Sequence, residues 1–415
     1  MHQPSAVSPA PHTGSTLSAS TGRARIQSLD VIRGVSILGI LAVNADGFAV
    51  PMEAAMNPLT WPFPNEGWTA LSYWLMDAFF HEKFVTLFSM LFGMSLFLVG
   101  GERTDKERGR ILRRRLVFLF LFGMLHGFGI WWGDILSLYA AAGAIMFFCR
   151  SWKPRTLLVA GIALFVALPL ARLPVGALPG ASPQARAEAS AHLVPSPRAI
   201  ERRKAAAAAT LEEARGSWTG AWRVNTRQYL RLLSGYPSII PSTLGLMMIG
   251  LSLFKSGFFT GRSSTRRYAA TIAAGACAAA VIAWLCWRKD VIGMPVLGGH
   301  TAEELLAPLV SLAYASVLIL LLRAGAGRVL APFAAAGRMA FTNYLTQSIV
   351  MTSIFYGGRG ALMGQVDRPA LFAIVGAVWV LQLCWSTLWF SRFGTGPFEW
   401  VWRCLTLGRR VPLAT

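Results

Sequence analysis

The feature that most constrains this chain is a series of long apolar stretches separated by polar gaps, all but one of them short. They run Val31–Val50, Trp68–Phe80 with Phe84–Gly100, Ile111–Trp132, Ile135–Cys149 and Thr156–Leu173, then Ile239–Phe254, Tyr268–Trp287, Glu304–Leu322, Ala340–Tyr356 and Leu371–Phe390. A helix needs roughly 20 apolar residues to cross the hydrocarbon core of a bilayer. The balance of 54% hydrophobic to 14% charged residues agrees, since soluble domains carry roughly a quarter charged. The expected fold is all-α, a polytopic transmembrane bundle of about ten helices. Several stretches are short, which implies polar or broken backbone facing protein or a cavity. Trp68–Gly100 reads as one crossing, kinked at the polar break His81-Glu82-Lys83.

The formal net charge is +20, but it falls in the gaps and forms no continuous stripe of the kind nucleic acid requires. Arg23 and Arg25 precede the first stretch, and Gly101–Arg115 holds a dense basic run. Further basic gaps hold Arg150, Lys153 and Arg155, then Lys255, Arg262, Arg266 and Arg267, then Arg323, Arg328 and Arg338, and the tail adds Arg392, Arg403, Arg409 and Arg410. The short gaps between these have almost no positive charge, and Pro51–Gly67 and Trp131–Asp134 hold no Lys or Arg. Placing every basic gap inside gives an even number of crossings with both termini cytoplasmic.

The chain divides accordingly. Residues 1–28 are rich in Ser, Ala, Pro and Thr and read as a disordered cytoplasmic tail. Residues 29–173 and 236–392 are two sets of transmembrane helices, and 393–415 a second cytoplasmic tail. Between the sets lies an extracytoplasmic loop, 174–235, with a charged helical run Glu201–Arg215 that suits either a lid or a mobile spacer. The five cysteines form no CxxC pair and lie in or beside apolar stretches, so neither a disulfide framework nor a metal site is expected.

Ionisable groups inside spans are costly and are the functional candidates. In LDVIRG, Asp30 and Arg33 share a helical face. Either they pair, or Asp30 caps the helix, or Arg33 turns inward to hold a phosphate or carboxylate. Asn44 and Asp46 lie at the other end of the same helix; Asn44 either glues helices or orients a carbonyl. His126, in FGMLHGFGIWWGDIL, precedes Asp134 across a tight turn. A histidine beside a carboxylate is general-base equipment, and a packing histidine with Asp134 capping the next helix is the alternative. Lys83 either neutralises Asp77 or binds an anion. Thr342, Asn343, Thr346 and Gln347 either bond helices together or line a pathway. His192 and His300 fall in loops.

The blocks LDVIRGVSILGILAVNADGFAVP, KFVTLFSMLFG, RLVFLFLFGMLHGFGIWWGDIL, GRMAFTNYLTQSIV and GPFEWVWRCLT resemble, in order, the YeiB-like family of bacterial inner-membrane proteins. That family resembles the transmembrane acyltransferases, including the acyltransferase-3 proteins and heparan-glucosaminide acetyltransferase. Acyltransferase-3 proteins place a catalytic His eleven positions after an Arg that matches Arg33; here that position is Asn44. The lysosomal enzyme also has Asn there, with its His eleven positions further on, where this chain has Ala55. The superfamily histidine is thus absent. The resemblance implies an acyltransferase, most simply of acetyl groups, that uses cytoplasmic acyl-CoA as co-substrate and modifies an extracytoplasmic hydroxyl or amine. Its phosphates would meet Arg33 and the cluster Arg113, Arg114 and Arg115, with Asp30, Lys83 and Asn343 lining the path. His126 would act as base, Asp134 as its support and Asn44 as oxyanion donor, with no metal. The partners implied are the lipid bilayer and the small-molecule donor and acceptor, with a homodimer left open. The competing reading is a transporter or exporter of a small anionic metabolite, which broken helices and intramembrane charges serve equally.

Overall fold

The structure, a computed structural model, describes residues 27–55, 58–193 and 195–413. Apart from Gln27 and Ser28, which open the first helix, the tail read as disordered lies outside the described residues. Among those described there is no strand, and the chain forms sixteen α-helices. They are α1 (Gln27–Ala49), α2 (Met52–Ala55), α3 (Gly67–Phe79), α4 (Lys83–Gly100), α5 (Lys106–Gly129), α6 (Leu136–Cys149), α7 (Pro154–Ala171) and α8 (Pro183–Ala191). Then follow α9 (Pro197–Gly216), α10 (Trp218–Lys255), α11 (Thr265–Cys286), α12 (Gly299–Arg323), α13 (Ala331–Arg338), α14 (Ala340–Phe355), α15 (Arg368–Phe390) and α16 (Pro397–Leu407).

Seven helical units are long and apolar enough to cross a membrane: α1, α3 with α4, α7, α10, α11 with the π turn that follows it, α12 and α15. The other three expected crossings differ for physical reasons. Helix α6 is apolar but has 14 residues, and α14 has 16. Helix α5 has 24 residues, but its first half carries the basic cluster.

Helix α1 is central, buried along most of its length against α4, α12, α13, α14 and α15. Small residues let backbones touch where lipid offers no hydrophobic drive between helices. A Cβ on Gly34 would sit 1.9 Å from the carbonyl oxygen of Phe333, and one on Gly337 would sit 1.9 Å from that of Asp30. This reciprocal contact clamps α1 to α13. Gly93 and Gly250 do the same for α4 and α10, each facing a carbonyl oxygen of the other helix at 2.2 Å.

The expected break at His81–Lys83 is present, and it is a turn between α3 and α4. Glu82 there takes φ +67°, uncommon for a residue with a side chain. The expected loop 174–235 is largely helical. It holds α8, α9 and the first turns of α10, which has 38 residues, about 57 Å at 1.5 Å per residue. Polar residues in that first half read as solvated, yet Asn225, Gln228, Tyr229 and Tyr236 are buried by the protein itself. Helix α9 contains the expected Glu201–Arg215 run and is anchored rather than free: Ala207 and Ala214 are buried, and the N–H of Gly357 donates to the carbonyl of Ala214 at 3.0 Å. The expected cytoplasmic tail contains α16, which packs on α5 and against the start of α14.

Candidate functional site

One face of α1 passes two cavities in succession. Arg33, Ile37 and Ile40 line the first, and Val43, Asn44, Asp46 and Gly47 line the second. The turn into α6 does the same, Leu136 and Tyr139 facing the first and Asp134 and Leu138 the second, with Ile135 on both walls. The Tyr344 hydroxyl braces this partition, donating to the carbonyl of Gly133 at 3.1 Å and accepting from the N–H of Ile135 at 3.2 Å.

The first cavity, about 220 Å³, is walled by aromatic rings and by Arg33, Arg115 and Arg338, with Glu399 as counter-charge. Arg33 pairs with Asp30 at 3.2 Å, as the helical spacing allows, while still reaching this wall. Arg115 lies over the Trp402 ring, 3.7 Å from its centre. Arg113 and Arg114 of the same cluster are exposed on an open surface outside it. Glu399 comes from α16 and accepts from the N–H groups of Phe341 and Thr342 at 2.7 and 3.1 Å, capping α14. Burial pushes its carboxyl above the usual range, against the pull of those donors and the Thr342 hydroxyl. Three guanidinium groups among aromatic rings suit a phosphate- or carboxylate-bearing ligand.

The second cavity, about 270 Å³, is acidic: Asp46, Asp77 and Asp134 line it together with Asn44, Tyr73 and His81. The turn at Glu82 presents His81 here. Its Nδ1 lies 3.0 Å from Asp77 Oδ1, and among the described residues nothing bonds its Nε2. The carboxylate thus fixes the ring with one nitrogen left for a ligand, the arrangement of a general base. Asp77 is held on its other side by Lys289 Nζ at 2.7 Å. The Asn44 amide makes no side-chain hydrogen bond among the described residues, which leaves it available to a ligand. Asp46 pairs with Arg368 Nε at 3.3 Å. That guanidinium is fully buried between the Trp61 and Tyr73 rings, and its Nη1 and Nη2 have no hydrogen-bond partner among the described residues.

His126 and Asp134 do meet, with Nδ1 and Oδ1 3.0 Å apart. The other ring nitrogen is also taken, 2.9 Å from Ser348 Oγ. Asp134 Oδ2 accepts from the N–H and hydroxyl of Ser137 at 2.8 and 2.6 Å, and the Tyr229 and Tyr236 hydroxyls close the network on Ser137. Gly127 makes room for it, since a Cβ there would strike the Tyr229 ring. His126 is 1% exposed and lines neither cavity. With both ring nitrogens engaged, its geometry is that of a polar strut set away from both cavities.

Lys83 and Asn343 also move. Lys83 Nζ donates to the backbone carbonyl of Asp77 at 2.8 Å, closing the end of α3; the carboxylate takes Lys289 instead. The Asn343 amide donates to the Ala336 carbonyl and the Ser386 hydroxyl, both at 3.1 Å, and accepts from Trp385 at 3.0 Å. It glues helices and lines neither cavity. Arg338, Glu399, Arg368, Lys289 and Asp290 were missed by sequence reasoning, because each stands at a helix end or in a basic gap where a solvated role was the simpler reading.

Residues 253–409 match the family described as "Protein of unknown function (DUF418)". The chain is 31% identical over 406 residues to "Uncharacterized protein YeiB" of Escherichia coli (strain K12), covering 93% of this chain and 97% of that protein. It is 31% identical over 418 residues to "Uncharacterized protein YxaH" of Bacillus subtilis (strain 168), covering 96% and 98%. No solved structure matches.

Proposed function

This chain belongs to the YeiB-like family, and from that premise we propose that it is a membrane-embedded acyltransferase of the bacterial inner membrane. The observation that carries the reading is the pair of cavities along α1, one cationic and aromatic, the other acidic with a histidine–carboxylate pair, meeting at Ile135. In this reading α5, α6 and α14 cross with the seven long units, about ten crossings in all, and both termini lie in the cytoplasm with the basic gaps. The arginine cavity then opens on the cytoplasmic side and the acidic cavity on the other.

The arginine cavity holds the acyl-bearing arm of acyl-CoA, its phosphates met by Arg33, Arg115 and Arg338, with Arg113 and Arg114 outside. At about 220 Å³ it is below the roughly 300–1,000 Å³ of drug-sized pockets, which suits the arm and not the nucleotide. The acceptor hydroxyl or amine occupies the acidic cavity. His81 Nε2 takes its proton as the oxygen or nitrogen attacks the acyl carbonyl, Asp77 supports the imidazolium, and Asn44 donates to the oxyanion. The sulfur of CoA leaves on the arginine side as a thiolate and takes a proton from water there. His126 and Asp134 hold the turn that carries the partition.

Titrating purified protein with acetyl-CoA tests this. Binding that Arg115→Ala weakens about 10- to 100-fold, and that His81→Gln spares while abolishing transfer, supports the reading. Protein that binds no acyl-CoA overturns it. The second reading, export of a small anionic metabolite, is favoured by two cavities end to end behind one side chain, a geometry that alternating access also uses. Flux of an organic anion across proteoliposomes that needs Ile135 and no acyl donor selects it.

A further inference from the structure

Behind Asp77, the acidic cavity has a rear wall that the proposed transfer leaves unused. The π turn Trp287–Val291 closes α11 and carries Lys289 and Asp290 into the protein; such turns are frequent at functional sites. Lys289 Nζ lies 2.7 Å from Asp77 Oδ2 and 3.2 Å from Glu303 Oε2. Asp290 is 2% exposed, yet neither of its carboxylate oxygens receives a hydrogen bond among the described residues. Lys289 Nζ stands 3.9 Å from Oδ1, beyond bonding reach. A carboxylate oxygen of Asp77, one of Asp290 and Cys286 Sγ lie within 4.8 Å of one another.

Three carboxylates therefore face one ammonium where unpaired charge is costly. The other charged groups near by do not offset them. The Lys83 ammonium is turned onto a backbone carbonyl. Arg288 faces the Trp284 ring, Glu82 and Glu304 add negative charge at the ends of α4 and α12, and Tyr73 is neutral. The cluster also runs from surface to cavity. The His300 side chain is 76% exposed, with Nδ1 4.0 Å from Glu303 Oε2. From Glu303 the row passes through Lys289 to Asp77 and His81, which lines the cavity.

We propose that Asp290 carries a proton beside Asp77 and that the cluster exchanges it for one taken up at His81. When His81 Nε2 accepts a proton from an O–H or N–H group in the cavity, that bond breaks, an N–H bond forms and the ring becomes positive. Asp290 loses its own proton, which leaves past Glu303 to the surface at His300. One positive and one negative charge appear together, so the buried charge of the cluster does not change. The exchange serves an acyl acceptor or a proton-coupled anion alike, and so stands apart from the choice between them. The rival occupant is a divalent cation held by Asp77, Cys286 and Asp290, against which the Lys289 ammonium already stands.

Infrared spectra of the full-length protein in detergent at neutral pH test this. The expected result is the C=O stretch of a protonated carboxylic acid that shifts on labelling aspartate with carbon-13, is lost in Asp290→Asn and persists in Glu304→Gln. Should Asp290→Asn not fold, Asp290→Glu decides: the band is then expected to stop responding to aspartate labelling and to respond to glutamate labelling, and a band that still follows aspartate overturns the assignment. No such band, a band that aspartate labelling does not move, or one divalent metal ion per chain in protein purified without chelator overturns the proposal.

Discussion

His126 bridges Asp134 and Ser348 with both ring nitrogens, while His81 offers one nitrogen to a cavity. Replacing His126 by alanine leaves Asp134 Oδ1 buried without its partner, and an unsatisfied buried polar group costs about 1–3 kcal/mol. The expected outcome is a clearly lowered midpoint of thermal unfolding in detergent. His81→Gln, at a side chain 32% exposed, is expected to melt within about 1 kcal/mol of the wild type and to lose turnover. If His126→Ala melts normally and alone loses turnover, the roles are reversed. Glu399 makes a different prediction. Its folded carboxyl is raised by burial, so its contribution to stability is full at low pH and lost as pH rises through the raised value. In Glu399→Gln that part of the slope of unfolding free energy against pH is expected to vanish.

At the scale of helices, glycine contacts set the packing. Gly34→Ala drives a Cβ into the Phe333 carbonyl on α13, whereas at Gly376 on α15 nothing lies within 4 Å. Thermal unfolding is expected to show the first variant strongly destabilised and the second unchanged or about 0.5–1 kcal/mol more stable, the usual gain of Ala over Gly inside a helix. The same scale shows what periodicity conveys. The apolar stretches located α1, α4, α7, α11, α12 and α15 within a few residues, because a bilayer-length helix needs a bilayer-length run. The start of α10 was not legible, because Asn225, Gln228 and Tyr229 are polar residues buried by neighbouring helices, and polarity in sequence reads as solvent.

For the whole molecule, the partition at Ile135 is the element on which both functional readings depend. Ile135→Gly joins the two cavities. The expected outcome is hydrolysis of acetyl-CoA without acceptor, measured as released thiol, and equal rates in wild type and variant would argue against a shared wall. Orientation has its own measurement. Single cysteines at Arg328 and at Ser196, in a chain whose native cysteines are replaced, are expected to react with a membrane-impermeant thiol reagent from opposite sides of the membrane.

The sequence by itself determined an all-helical chain of apolar spans and the break at His81–Lys83, because each of these depends on residue type and spacing along one stretch of chain. It also brought out His126 with Asp134 and Asn44 as polar groups in apolar surroundings. Only the tertiary structure decided what those groups do. Whether a ring nitrogen is spent on Ser348 or left facing a cavity depends on where α14 crosses α5, and whether Lys83 or Lys289 neutralises Asp77 depends on a π turn more than 200 positions further along the chain. Spacing brings together side chains on one helix; the contacts that assign a charge its partner cross between helices, and packing alone fixes them.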